Sequence, residues 1–237
     1  MKHPFRFSIL PYFTMGAGGL ALALRLWLFS AMDAKGLLPT AHAADTLLYI
    51  VSALVLGILY LSTRELTPAP GRKGLLKKAR MPAYLLAGIC LLATAWMDLT
   101  KIHVSLARPA ALACAVGGVI LLAGAFGIGK KAFPLRMAFT VALMVQTVAQ
   151  CQIWGSEPQL QVYFFPLLAS VFSILTAYQV TALEASQGNR KLLAFFGQSA
   201  LFFCCASLNT QLWPMYLGMG LWSIIQLIPC YPTKKEI

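Results

Sequence analysis

Long apolar runs separated by short polar breaks dominate this chain from end to end. Eight of them approach or exceed the roughly 20 residues that an α-helix needs to cross a bilayer. They cover residues 10–31, 46–62, 82–98, 109–128, 137–154, 160–183, 192–208 and 212–231. The pattern predicts an all-α, polytopic transmembrane bundle of eight spans, organised as a single integral membrane domain over residues 1–237.

Proline placement fits this division. Pro11, Pro82 and Pro109 fall at predicted span starts, where a missing N–H costs little. Pro166 alone lies well inside a span. There it is expected to kink helix six and to free a backbone carbonyl near one end of the bundle. The first span follows Lys2 and Arg6 and precedes Ala41-His42-Ala43, so it superficially resembles a signal peptide. Its apolar run is longer than a signal core and the Ala-rich triplet lies too far beyond it, so it is read as a retained helix.

Small residues share helix faces in three spans: Gly16, Gly19 and Ala23; Ala113, Gly117 and Gly124; and Ser170, Ser173, Ala177 and Thr181. Such faces let helices approach closely in lipid, so packing is the first reading and a cavity lining the second.

Composition sharpens the class. Hydrophobic residues make up 59% of the chain and charged residues 11%, with mean hydropathy +0.74. Soluble domains carry about 25% charged residues, too many to match so apolar a chain. The net charge of +12 does not indicate nucleic acid, because the basic residues sit in short clusters between apolar runs.

Those clusters also orient the chain. Lys2, Arg6, Arg64, Arg72, Lys73, Lys77, Lys78, Arg80, Lys130, Lys131, Arg136, Arg190, Lys191, Lys234 and Lys235 fall on one side of an eight-span topology. Only Lys35, Lys101 and Arg108 fall on the other. The positive-inside rule then places both termini and the basic loops in the cytoplasm. The stretch holding Arg72, Lys73, Lys77, Lys78 and Arg80 is expected to touch anionic lipid headgroups. Lys234-Lys235-Glu236-Ile237 also matches a dilysine retrieval signal, but paired lysines commonly follow a last span.

Two short matches outline a four-plus-four parallel duplication. Gly71-Arg72-Lys73-Gly74-Leu75-Leu76 follows span two, and Gly188-Asn189-Arg190-Lys191-Leu192-Leu193 follows span six. Arg25-Leu26-Trp27 near the end of span one echoes Gln152-Ile153-Trp154 near the end of span five. Duplication of four helices would give halves of equal orientation.

Candidate chemistry is sparse. The six cysteines (Cys90, Cys114, Cys151, Cys204, Cys205 and Cys230) lie in or beside apolar segments with no CxxC, which suits buried thiols. His3, His42 and His103 are too scattered for a metal site. No HExxH, GxSxG or P-loop occurs, and no cofactor is expected.

Arg25 stands inside a span, where a charge is normally paired or functional. Gln146 and Gln150 are one turn apart on a common face, whereas Gln152 lies on another. Asp98 ends span three and Glu157 precedes span six, both on the side expected to face outward, and either could pair with Arg25. Glu157 with Pro158 also fits an ordinary helix start. Gln198 and Gln226 are further polar residues within spans. The candidate polar site is therefore Arg25, Gln146, Gln150, Asp98 and Glu157, receptive to a small polar or anionic solute.

From residue 154 to 208, the run Trp154-Gly155-Ser156-Glu157-Pro158-Gln159-Leu160, with Ala177-Tyr178 and Gly188-Asn189-Arg190, resembles a group of small uncharacterised polytopic bacterial membrane proteins. The resemblance implies a bacterial cytoplasmic membrane and carries over no functional residue. The leading expectation is a small-solute transporter or permease-like protein with an outward-facing polar site. A non-transporting scaffold or accessory subunit is the alternative. A membrane-embedded enzyme, which would need Asp98 and Glu157 to converge, comes third.

Overall fold

Each long apolar run becomes a helix. A computed structural model describes residues 5–32, 42–64, 75–100, 107–127, 133–155 and 160–227. The α-helices are α1 (Phe5–Ser30), α2 (Ala43–Arg64), α3 (Leu75–Thr100), α4 (Ala107–Ala125), α5 (Phe133–Trp154), α6 (Phe164–Glu184), α7 (Arg190–Ala206) and α8 (Trp213–Leu227). A short 3-10 turn, Leu160–Tyr163, leads into α6. The first six α-helices contain segments long and apolar enough to cross a membrane. Helix α7 has 17 residues, about 26 Å at 1.5 Å per residue. It packs among α1, α2, α6 and α8 and is largely buried, so it has little lipid-facing surface to match to the bilayer.

The side-chain distribution is that of a membrane bundle. Tyr12, Leu54, Trp96, Leu112 and Val148 point outward, while Arg25, Thr94, Asp98, Gln146, Gln150 and Gln198 are buried. Lipid accepts the apolar exterior, and polar groups withdraw to where other protein groups can meet them.

Helices α3, α4, α5, α6, α7 and α8 close into a ring, each packing against the next and α8 returning to α3. The α1–α2 pair lies outside this ring against α7. The closest crossing is α3 with α4. A Cβ on Gly88 would meet Leu122 at 2.8 Å and the Gly118 carbonyl at 3.0 Å, and one on Gly118 would meet the Gly88 carbonyl at 3.0 Å. Two glycines facing each other are what allow these backbones to touch.

The helix ends sort by charge. At one end, Arg136 of α5 pairs with Glu184 of α6, and Lys191 Nζ at the start of α7 donates to the carbonyl of Arg64, the last residue of α2, at 2.9 Å. A cation at a helix C-terminus is well placed against the dipole. At the opposite end, α1 meets the 3-10 turn and the end of α7 through Arg25, and α3 meets α5 through Asp98. These contacts join ends that an alternating up-and-down path brings together.

Several local expectations need correction. Pro11 and Pro82 are interior helix residues, because α1 and α3 extend beyond their apolar cores into the basic flanks. Pro166 is the third residue of α6, immediately after the 3-10 turn, instead of kinking the middle of a helix. Pro109 does occupy the first turn of α4.

The α1 stripe of Gly16, Gly19 and Ala23 is exposed, and nothing lies within 4 Å of a Cβ built on Gly16 or Gly19. Helix α1 packs instead through Gly18 and Ala21; a Cβ on Gly18 would lie 2.6 Å from Cys205 Cβ of α7. The α6 stripe of Ser170, Ser173, Ala177 and Thr181 is buried as expected.

The four-plus-four scheme is not reproduced. It requires α2 to pack on α3 as α6 packs on α7. Among the described residues α2 packs on α1 and α7, with no comparable seam to α3.

Candidate functional site

The polar interior divides into two clusters near the end of the bundle that is poor in Lys and Arg, and Arg25 belongs to only one of them. Arg25 is 2% exposed. Its Nη1 donates to the Ala206 carbonyl and its Nη2 to the Val162 carbonyl, each at 2.9 Å. Its guanidinium carbon sits 5.5 Å from the ring centroids of both Phe29 and Phe165.

Both acceptors have a local origin. Ala206 ends α7, so its carbonyl belongs to the last turn, which lacks the usual intrahelical donors. Val162 stands four residues before Pro166, whose ring nitrogen has no hydrogen to offer it. Val162 precedes Tyr163, the N-cap of α6, so its carbonyl lies outside that helix's ladder and is taken by Arg25. One cation thus ties α1 to the break before α6 and to the end of α7, with the favourable sign for a helix C-terminus.

The expected ion pair with Asp98 does not form. Asp98 and Gln150 are not the groups that hold Arg25, because α1 packs on α2 and α7 while α3 packs on α4 and α8. Glu157 lies outside the described residues, as do Arg72 and Lys73 and the side chains of Lys77, Lys78 and Arg80.

The second cluster joins Asp98 to the α5 glutamines. Asp98 and Gln146 are each 1% exposed and Gln150 is 4% exposed. Both carboxamide Nε2 atoms donate to the same Asp98 oxygen, Oδ2, at 3.3 Å. The one-turn spacing on α5 aims both amides at one acceptor, as their shared face predicts. Gln152 is exposed and takes no part. Asp98 lies two residues from the end of α3 and Gln150 four from the end of α5, roughly 3 and 6 Å along the axes.

Between the clusters lies Tyr216 of α8, 1% exposed and within electrostatic reach of Ser170, Cys204, Arg25 and Cys114. Cys114 of α4 in turn neighbours Asp98. Tyr216 escapes sequence reasoning because one tyrosine in an apolar span carries no spacing signal. Nearer the basic end, the ring centroids of Phe139 on α5 and Trp222 on α8 lie 5.3 Å apart. Gln226 binds away from the site, its Nε2 donating to the Tyr84 hydroxyl at 2.6 Å. No group of three or more potential metal-binding side chains occurs among the described residues.

An apolar exterior, alternating helices and a buried carboxylate with its carboxamides define a polytopic integral membrane protein with a polar interior. Comparison with known proteins adds nothing to that class: no family model, no curated protein and no solved structure matches the chain. The site is therefore read from its own chemistry.

Proposed function

We propose that this protein is a small-solute transporter or permease-like protein of the bacterial cytoplasmic membrane, with Asp98, Gln146 and Gln150 as its polar site. The observation that carries this reading is the full burial of a carboxylate and two carboxamides on facing helices. Ionisable groups within membrane spans are costly and typically mark solute or ion pathways. The Phe139–Trp222 contact lies on the basic side of the site, which supports access from the opposite end. In this reading the basic side is cytoplasmic, the polar site opens outward, and the basic loop before α3 rests on anionic headgroups.

A free Arg25 would favour an anionic solute. Its engagement with two backbone carbonyls transfers recognition to a carboxylate site, so the solute proposed is polar and either neutral or cationic. The same engagement gives the scaffold reading its one supporting observation, a charged residue with a purely structural task.

Two experiments test the proposal. For orientation, a single Gln187→Cys on a cysteine-free background is expected to react with an impermeant maleimide only after the membrane is opened. Labelling of intact cells would invert the topology. For solute binding, the purified protein is heated with neutral sugars and amides, cationic amines, and anionic carboxylates in turn. At least one neutral or cationic class is expected to raise the melting temperature of the parent and not of Gln146→Leu. Stabilisation by anions alone would contradict the assigned site, and no stabilisation by any class would favour the scaffold.

A further inference from the structure

We infer that Asp98 is a reversible proton-binding site inside the bundle, with Gln146 as the partner that responds to its protonation. The inference deepens the transport reading and rests on it only for the consequence that solute movement is coupled to protons.

The pointer is an orphaned atom. Gln146 is 1% exposed, and its Oε1 has no hydrogen-bond partner. This oxygen belongs to the same carboxamide whose Nε2 donates to Asp98. A buried carboxamide oxygen without a donor is costly, and native interiors rarely keep one without a reason. Both bonds to Asp98 Oδ2 measure 3.3 Å, longer than the roughly 2.7–2.9 Å of strong charge-assisted bonds.

An ionised carboxylate only accepts, so it cannot satisfy Gln146 Oε1. A protonated carboxyl gains one O–H donor. With the proton on Oδ1, the carboxyl and the Gln146 carboxamide can pair through two bonds, Oδ1–H donating to Oε1 while Nε2 keeps donating to Oδ2 and Gln150 continues to donate to the same oxygen. Protonation thus supplies the hydrogen that the site lacks. A proton from the aqueous phase bonds to one carboxylate oxygen, the Asp98 side chain goes from −1 to 0, and no electrons are transferred. Release reverses the step.

The surroundings of Asp98 suit this role. Helix α4 contributes the Cys114 thiol and α5 the two carboxamides, while Tyr216 of α8 lies near Cys114. Arg25 of α1 is engaged with the Ala206 and Val162 carbonyls. Arg108 at the start of α4 is exposed, and Lys101 and His103 lie outside the described residues.

The test is infrared difference spectroscopy on the reconstituted protein, titrated from alkaline to acid pH in H2O and D2O. Isotope-labelled aspartate is incorporated on an Asp33→Asn/Asp45→Asn background, which leaves Asp98 as the only aspartate. A protonated-carboxyl C=O band should appear on acidification and shift with both the label and deuterium. It should vanish in Asp98→Asn and move in frequency in Gln146→Leu. Absence of a label-sensitive band while the protein stays helical would overturn the proton site. An unmoved frequency in Gln146→Leu would overturn the part given to Gln146. The readout is independent of solute: a band without solute stabilisation removes the transport reading alone, and solute stabilisation without a band removes the proton site alone.

Discussion

Arg25→Leu is expected to destabilise the folded protein by roughly 2–4 kcal/mol, without any dependence on added solute. The buried Ala206 carbonyl and the part-buried Val162 carbonyl lose their donor, and an unsatisfied buried acceptor costs about 1–3 kcal/mol. Contact with Phe29 and Phe165 is lost as well, worth about 0.5–2 kcal/mol. Relief from burying a guanidinium offsets part of the sum. Arg25→Lys should recover only part of the loss, because one ammonium cannot reproduce the planar fork that reaches both carbonyls. Unfolding in detergent, followed by circular dichroism, gives the comparison. A second expectation separates this clamp from an ion pair with Asp98. Arg25→Leu and Asp98→Asn act on different partners, so their effects should add within about 0.5 kcal/mol. A double variant more stable than either single one would restore the Arg25–Asp98 pair.

How far the sequence spoke depended on the physical length of each signal. A span is written in about 20 consecutive residues, so all eight helices could be located from apolarity alone. Their ends could not, because α1 and α3 run on into polar flanks at Phe5 and Leu75, where no hydrophobic boundary marks the stop. Helix neighbours were the least legible feature. Small residues occur on more than one face of α1, and apolarity does not say that Gly18 meets α7 while Gly16 and Gly19 remain exposed.

The site shows the same division. Gln146 and Gln150 share a face by spacing alone, and Asp98 could be placed at a similar depth. That Asp98 joins them and not Arg25 depends on which helices adjoin, which a single chain does not encode locally. The partners of Arg25 are backbone carbonyls, invisible as residue types. The Val162 carbonyl is free to accept because it precedes the N-cap Tyr163, a position fixed by where α6 begins and not by residue type.

Asp98→Asn carries the largest expected effect on activity. Asparagine preserves the size of the side chain and can still accept from Gln150, so the bundle should remain folded. It removes both the negative charge and the capacity to take up a proton. Proteoliposomes containing the parent are expected to admit at least one small neutral or cationic solute faster than protein-free vesicles, followed by light scattering under an osmotic gradient. With Asp98→Asn that excess should fall at least tenfold, the loss corresponding to about 1.4 kcal/mol or more. Gln152→Ala, at an exposed position on the same helix as the glutamines, should keep the parental rate. This flux comparison tests the central claim most directly. Loss of solute entry in Asp98→Asn with retention in Gln152→Ala is the predicted result. Equal entry in the parent and Asp98→Asn, or no entry above protein-free vesicles in the folded parent, would contradict it.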